Sequence, residues 1–165
     1  MRYRPMVFEL ETARLELRLR DAEDAPTNLA LLRAHTGGTT RTLAEVRERL
    51  VAQRAEASAA GFGLLSIRLK ATGERIGYCG LIIGRATHDE PEIAYELLER
   101  HHGNGYATEA AVAVVDAALA TGRTRVWSTV GAWNAPSLRV LEKAGFRRDR
   151  VEGVLVWMVT EGVGR

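Results

Sequence analysis

The chain has 165 residues, of which 46% are hydrophobic and 27% charged, so one folded domain spanning residues 1–165 with one substantial core is expected. The formal net charge of +2 is far below the basic excess of nucleic-acid-binding proteins, so no nucleic acid is predicted as a partner. The single cysteine, Cys79, excludes an internal disulfide and a thiolate metal cluster and fits a reducing compartment. Because no apolar run reaches about 18 residues, we expect no membrane segment and a cytoplasmic protein.

Strand and helix patterns succeed one another in the first half of the chain. Leucines alternate with charged residues over residues 14–20, which predicts a half-buried strand. Helical spacing follows as far as His35, and Thr42 with Glu45 forms a capping-box signal for a helix that ends near residue 60. A short glycine-containing segment then joins two apolar runs and predicts a hairpin with strands at 62–69 and 76–83.

The second half contains one predicted crossover. Strands at 92–97 and 124–130 flank an alanine-rich helix at 106–121, and such a β-α-β unit makes its two strands parallel. Pro136 and Gly145 bracket a short helix, and the tail predicts a hairpin with strands at 146–151 and 154–160. The predicted fold is therefore α/β of the α+β type, a mixed, mostly antiparallel seven-stranded sheet with four helices packed on it.

The segment between the strand at 92–97 and the helix at 106–121 has the composition of an anion site. Gly103 and Gly105 allow the backbone to turn its N–H groups inward, and the start of the helix adds a positive dipole end. The alternative interpretation is a tight turn without a ligand. A P-loop is excluded because no G-K-[ST] is present, and a dinucleotide fingerprint is disfavoured because Thr108 stands where the third glycine would be.

This loop resembles the Arg/Gln-x-x-Gly-x-Gly/Ala signature of the GNAT superfamily of N-acetyltransferases. Further resemblance to its Rim-type branch, which includes the ribosomal-protein N-terminal acetyltransferases, extends over nearly the whole chain in the same order. It includes the opening Glu-Thr-Ala-Arg-Leu-Glu-Leu-Arg at 11–18, Glu-Ile-Ala-Tyr at 92–95, Asn-Ala-Pro-Ser at 134–137 and Leu-Glu-Lys-Ala-Gly-Phe at 141–146.

The resemblance implies a GNAT-like domain that uses acetyl-CoA and no metal. It implies acetyl transfer to a primary amine, either a peptide or protein N-terminal α-amine or a small-molecule amine, by direct attack in a ternary complex. Backbone from Leu97 and Leu98 is expected to contact pantetheine and to polarise the thioester carbonyl, and Asn134 to orient pantetheine. The remaining cofactor-binding residues implied are Arg100, His102, Gly103, Asn104, Gly105, Tyr106, Ala107 and Thr108.

Two residues are the expected catalytic groups. Glu92 is the preferred base, although Glu96 lies on the same strand face and water is a third alternative. A structural ion pair is the competing interpretation of Glu92. Ser137 is the preferred acid for the leaving thiolate, with Tyr106 as the alternative; Asn134 and Ser137 also suit a helix start.

Two other functions compete with this prediction. One is an acyl-CoA-binding module or sensor that has the fold but no turnover, since a fold does not guarantee an activity. The other is a different phosphate ligand such as a nucleotide. The acceptor amine is left open by the sequence, and a homodimer is a further expectation from the branch that the chain resembles.

Overall fold

The computed structural model describes residues 2–35 and 37–162, and within them the chain forms one eight-stranded sheet with four α-helices. Two short 3-10 turns, Ala22–Asp24 and Glu99–His101, complete the elements. In chain order the strands and helices are β1 (Glu9–Glu11), β2 (Leu15–Leu19), α1 (Ala25–Ala34), α2 (Leu43–Ala60), β3 (Leu64–Leu69), β4 (Arg75–Ile82), β5 (Glu92–Leu97), α3 (Tyr106–Leu119), β6 (Arg125–Gly131), α4 (Ala135–Lys143), β7 (Arg147–Glu152) and β8 (Leu155–Glu161).

The sheet has the order β1-β2-β3-β4-β5-β6-β8-β7, and every neighbouring pair is antiparallel except β5 and β6. The predicted α+β architecture with one parallel crossover is confirmed. The predicted count of seven strands is corrected to eight, because β1 pairs with β2 at the edge of the sheet. Its three residues are too few to show an alternating pattern in the sequence.

Each face of the sheet packs against two helices. Successive side chains of a strand point to opposite faces, and in β4 Cys79 joins the main core while Tyr78 faces the other side. The main core includes buried residues of α3 and α4, such as Val114 and Leu141. A smaller cluster on the opposite face joins α1 to α2.

Helix ends follow the local sequence signals. The Thr42 hydroxyl accepts the Glu45 N–H while the Glu45 carboxylate accepts the Thr42 N–H, so the predicted capping box begins α2. After α4, Gly145 has a φ of +95° and the Phe146 N–H donates to the Leu141 carbonyl oxygen at 2.9 Å. In the described part of the chain, none of the helices has the length and apolar character to cross a membrane.

Candidate active site

The two parallel strands pair at their starts and then separate. Their register contains the single pair Glu92 with Trp127, and the Trp127 N–H donates to the Pro91 carbonyl oxygen at 2.9 Å. β5 pairs with β4 along its whole length, and β6 pairs with β8 along its whole length. A gap therefore opens between β5 and β6 towards their carboxyl ends, the edge at which ligands commonly bind beside parallel strands.

The backbone of β5 presents hydrogen-bonding groups to this gap. The Leu98 N–H donates to the Ile76 carbonyl oxygen of β4 at 2.9 Å, so that predicted donor is already used. Because the groups directed at one neighbour alternate along an antiparallel pair, the N–H groups of Tyr95 and Leu97 are directed away from β4 and into the gap. Of the two predicted backbone positions, Leu97 therefore keeps a donor that faces the gap.

The glycine loop follows β5 directly and leads into α3. Gly103 and Gly105 have φ values of +78° and +80°, a conformation that favours glycine, and Gly105 is the N-cap of α3. The Asn104 side chain donates to the carbonyl oxygens of His101 and His102 at 3.3 and 3.2 Å. The loop is thus a turn held by its own polar groups, with the first backbone N–H groups of α3 at its end.

The two basic residues predicted to bind the cofactor, Arg100 and His102, form hydrogen bonds within the protein. The His102 Nε2–H donates to the Leu97 carbonyl oxygen at 2.8 Å, which ties the loop to the end of β5. The Arg100 guanidinium pairs with Glu74 in the turn between β3 and β4, and this hydrogen bond lowers the pKa of Glu74 below its ordinary value. Both residues hold the loop in place by these contacts.

Residues just before β2 support the loop by contacts that were not predicted from the sequence. Arg14 donates from Nε to Glu109 at 2.8 Å and from Nη1 to the Asn104 carbonyl oxygen at 2.9 Å, and its guanidinium lies over the Tyr106 ring. Thr12 also donates to Glu109. Partial burial raises the pKa of Glu109, but the bonds from Thr12 and Arg14 outweigh it and leave the pKa below its ordinary value. Arg14 lies 95 residues from Glu109 in the chain, so no local pattern signals the contact.

On the other side of the gap, the start of α4 carries Asn134 and Ser137. The Asn134 Oδ1 accepts the Ser137 N–H at 3.2 Å, which confirms the helix-start role for Asn134. The Ser137 hydroxyl is 2.7 Å from the Tyr95 hydroxyl of β5. Burial raises the pKa of Tyr95 to about 12, against the opposing effect of the Ser137 bond, so Tyr95 stays protonated at neutral pH. This contact bridges the gap and was not anticipated from the sequence.

The two candidate glutamates of β5 have different surroundings. Glu92 is 4% exposed, and its carboxylate accepts the Arg85 N–H at 2.8 Å and the Thr129 hydroxyl at 3.1 Å. Gly84 approaches so closely that a Cβ there would lie 2.8 Å from the Glu92 carboxyl carbon. Glu92 therefore has the contacts of a group that joins the β4–β5 loop to β6.

Glu96, in contrast, lines a cavity of about 200 Å³ between the sheet, α1 and α2. Its carboxylate accepts the Tyr78 hydroxyl at 3.1 Å and lies 2.5 Å from the His35 Nε2, and its side chain keeps 26% exposure. Burial raises the pKa of Tyr78 above its ordinary value, so that hydroxyl remains a donor. The cavity and the glycine loop lie on opposite faces of the sheet beside the same end of β5.

Cys79 has no access to either side of the gap. Its side chain is 0% exposed within the main core, and burial raises the pKa of its thiol. Since the thiolate is the nucleophilic form, the chain's single cysteine is a core residue here.

Known proteins share this architecture. The acetyltransferase (GNAT) domain family matches residues 14–147. The chain is similar to an uncharacterized N-acetyltransferase, p20, from Bacillus licheniformis, with 32% identity over 85 residues, which is 51% of this chain and 48% of the relative. The chain thus spans about half the length of the curated relatives it matches.

Two solved structures extend the comparison to the whole fold. An acetyltransferase from Agrobacterium tumefaciens aligns with a TM-score of 0.78 and 29% identity over 94% of this chain and 95% of the other. RimJ from Mycobacterium smegmatis, solved in complex with CoA-disulfide, aligns with a TM-score of 0.72 and 23% identity over 89% of this chain and 81% of the other.

Proposed function

The chain belongs to the GNAT acetyltransferase domain family, and from this premise we propose that it transfers an acetyl group from acetyl-CoA to a primary amine by direct attack. The observation that supports this best is the gap between β5 and β6. A backbone N–H and a hydroxyl pair border it, the glycine loop lies at its end, and a carboxylate faces the cavity on the other side. An acyl-enzyme on the single cysteine is excluded because Cys79 is buried.

The residues around the gap fit acetyl-CoA. The loop is open at Gly103, since a Cβ there would meet nothing within 4 Å. The loop amides and the start of α3, from Gly103 to Thr108, would hold the pyrophosphate, and Arg14 supports them from behind. Asn134 keeps its Nδ2 donors for pantetheine, because the helix cap uses its Oδ1. The CoA-disulfide in the RimJ complex supports this choice of ligand.

Acetyl-CoA supplies an activated acetyl group as a thioester. The Leu97 N–H faces the gap and would donate to the thioester carbonyl oxygen, where negative charge grows during attack. Positioning of this kind accounts for a large share of the rate when the nucleophile is an amine that is already partly neutral.

Glu96 is the group we propose as the proton acceptor for the amine, with Glu92 as the alternative that the sequence favours. Both carboxylates have hydrogen-bonding partners, but Glu96 lines the cavity and its side chain keeps 26% exposure, whereas Glu92 is 4% exposed. A base has to lie within hydrogen-bond reach of the proton that it takes, directly or through one water.

Ser137 would return a proton to the leaving sulfur. The Ser137 hydroxyl lies beside the gap, and its partner is the Tyr95 hydroxyl at 2.7 Å, which also donates to the Ser137 carbonyl oxygen at 3.1 Å. The C–S bond breaks as the N–C bond forms. An amine that starts as the ammonium loses two protons, which Glu96 accepts in turn and passes to solvent. Ser137 gives its proton to sulfur and regains one from solvent, so one proton is released overall and the reaction balances.

The test is release of free CoA from acetyl-CoA by the full chain in the presence of a panel of primary amines, with calorimetry of CoA, ATP and NAD in parallel. Amine-dependent release together with selective binding of CoA supports the proposal. CoA binding without release by any amine would instead support the binding module, and preference for ATP or NAD would support a nucleotide ligand.

A further inference from the structure

The cavity beside Glu96 has a distinct distribution of charge. Its walls come from β3, β4, β5, α1 and α2 and from Arg20 directly after β2. The ionisable side chains among the lining residues are Arg20, His35, Arg49, Tyr78 and Glu96. Two guanidinium groups and one carboxylate are thus among the lining side chains. A bound molecule that balances this arrangement has an ammonium group near Glu96 and a negative charge near the arginines.

Arg20 is the less exposed of the two cations, with 7% exposure. It donates to the amide oxygens of Asn28 at 3.0 Å and Gln53 at 2.8 Å, two bonds for a group with five N–H donors. Among the described residues no carboxylate forms an ion pair with it, although buried guanidinium groups usually have one. The nearby Asp24 is already paired with Arg75 at 3.0 Å.

Burial also affects the charged form of this guanidinium. Desolvation lowers the pKa of Arg20, and the neighbouring Arg49 acts in the same direction. An anionic ligand would offset both effects, because an opposite charge stabilises the charged form. The planar guanidinium is also suited to bind a carboxylate through two parallel hydrogen bonds.

The two charged ends of the cavity are linked by Tyr78. The Arg20 guanidinium lies over its ring at 4.8 Å from the centroid, and its hydroxyl donates to Glu96 at 3.1 Å. The cavity of about 200 Å³ is smaller than the roughly 300–1,000 Å³ of sites for drug-sized ligands. A small molecule that has both charges close together fits these dimensions better than an extended one.

We infer that the acceptor is a small zwitterionic amine, of the class of free amino acids, with its amine at Glu96 and its carboxylate at Arg20 and Arg49. The inference rests on the proposed acetyl transfer and names the acceptor for it. A polyamine or an aminosugar antibiotic carries several positive charges, which the guanidinium groups of Arg20 and Arg49 would repel. A peptide or protein N-terminus would lack the carboxylate beside the amine.

The experiment compares kcat/KM for L-leucine and L-glutamate with the values for their primary amides, for a tripeptide and for spermidine, at saturating acetyl-CoA. We expect each amino acid to exceed its amide by about tenfold or more, the effect of one charge-assisted hydrogen bond. The α-amine of an amino-acid amide is less basic than that of the free amino acid, so a larger fraction of it is neutral. This difference alone would favour the amide, which makes a preference for the amino acid a stringent test. R49Q should reduce the preference for the carboxylate, whereas R47Q, at an exposed position of the same helix outside the cavity lining, should retain it.

The outcomes separate this inference from the function on which it rests. Faster turnover of the amide, the tripeptide or spermidine would overturn the zwitterion while leaving acetyl transfer intact. An unchanged amino-acid preference in R49Q and in R20Q, each with normal CoA affinity and a normal melting temperature, would remove the carboxylate from the arginines. Release of no CoA with any amine would overturn the acetyl transfer itself.

Discussion

The hydroxyl groups of Tyr95 in β5 and Ser137 in α4 lie 2.7 Å apart across the gap between β5 and β6. The helix cap there uses the Ser137 N–H and the Asn134 side chain, so the Ser137 hydroxyl is not needed for it. We therefore expect Ser137→Ala to lower kcat and kcat/KM together by about 10²-fold, within the range for a general acid, with little change in stability. Steady-state kinetics and thermal melts of one preparation measure both.

Two further variants distinguish an acid role of Ser137 from a role in capping α4. Asn134→Ala removes the cap and should cost about 1 kcal/mol of unfolding free energy, which Ser137→Ala should not. Tyr95→Phe removes the hydroxyl partner of Ser137 and should lower kcat by a smaller factor at unchanged CoA affinity. A fully active Ser137→Ala protein would exclude the acid role, and Tyr106→Phe would become the next variant.

A second pair of substitutions distinguishes the roles of the two glutamates of β5. Glu96→Gln should lower kcat by about 10²-fold, with partial recovery as the pH rises and more amine is already neutral. Glu92→Gln should mainly lower the melting temperature, because its carboxylate accepts bonds from Arg85 and Thr129 in a buried place. If Glu92→Gln instead loses turnover at full stability and Glu96→Gln does not, the base is Glu92.

The glycine loop and α3 form the proposed cofactor side of the site. A valine at Gly105 would have to adopt a φ of +80°, and its Cβ would lie 3.4 Å from the Arg14 Nη2. We expect Gly105→Val to weaken CoA binding by at least tenfold in calorimetry and to cost about 1–2 kcal/mol of stability.

A valine in a distant turn controls for backbone strain. Gly153, between β7 and β8, has a φ of +59° with nothing within 4 Å of an added Cβ. Gly153→Val should therefore lose stability for the same backbone reason and keep normal CoA affinity. Equal CoA affinity in folded Gly105→Val and wild type would contradict the anion site.

For the whole molecule, burial of three titratable side chains determines how its stability changes at alkaline pH. Burial raises the pKa values of Cys79, Tyr78 and Tyr95 in the folded state. The unfolded chain then releases these protons at a lower pH than the folded chain, so their stabilising contribution is complete below the unfolded pKa values and is lost as the pH rises through about 9 to 12. The chain's only two lysines are Lys70 and Lys143, which limits competing titration.

We expect the melting temperature to fall by on the order of 3 °C or more between pH 8 and pH 10.5. Tyr95→Phe removes one of the three groups and should reduce the fall. An unchanged melting temperature over this interval would show that these groups titrate alike in the folded and unfolded chain.

Local patterns in the sequence determined most of the elements. Alternating leucines, the Thr42–Glu45 capping box and Gly145 act over a few neighbouring residues, so their structures could be predicted without knowledge of the fold. The loop with Gly103 and Gly105 was recognised for the same reason. The edge strand β1 was missed because three residues show no period, and only its pairing with β2 makes it a strand.

Only the tertiary structure decided which chemical groups meet. Glu92 and Glu96 share one strand face by period two, yet the strand's neighbours bury the first against β6 and leave the second in a cavity beneath α1 and α2. The partners of Arg14 and Tyr95 lie 95 and 42 residues away along the chain. Such contacts depend on how helices and strands pack, whereas a sequence pattern reports only the neighbours within one helix or strand.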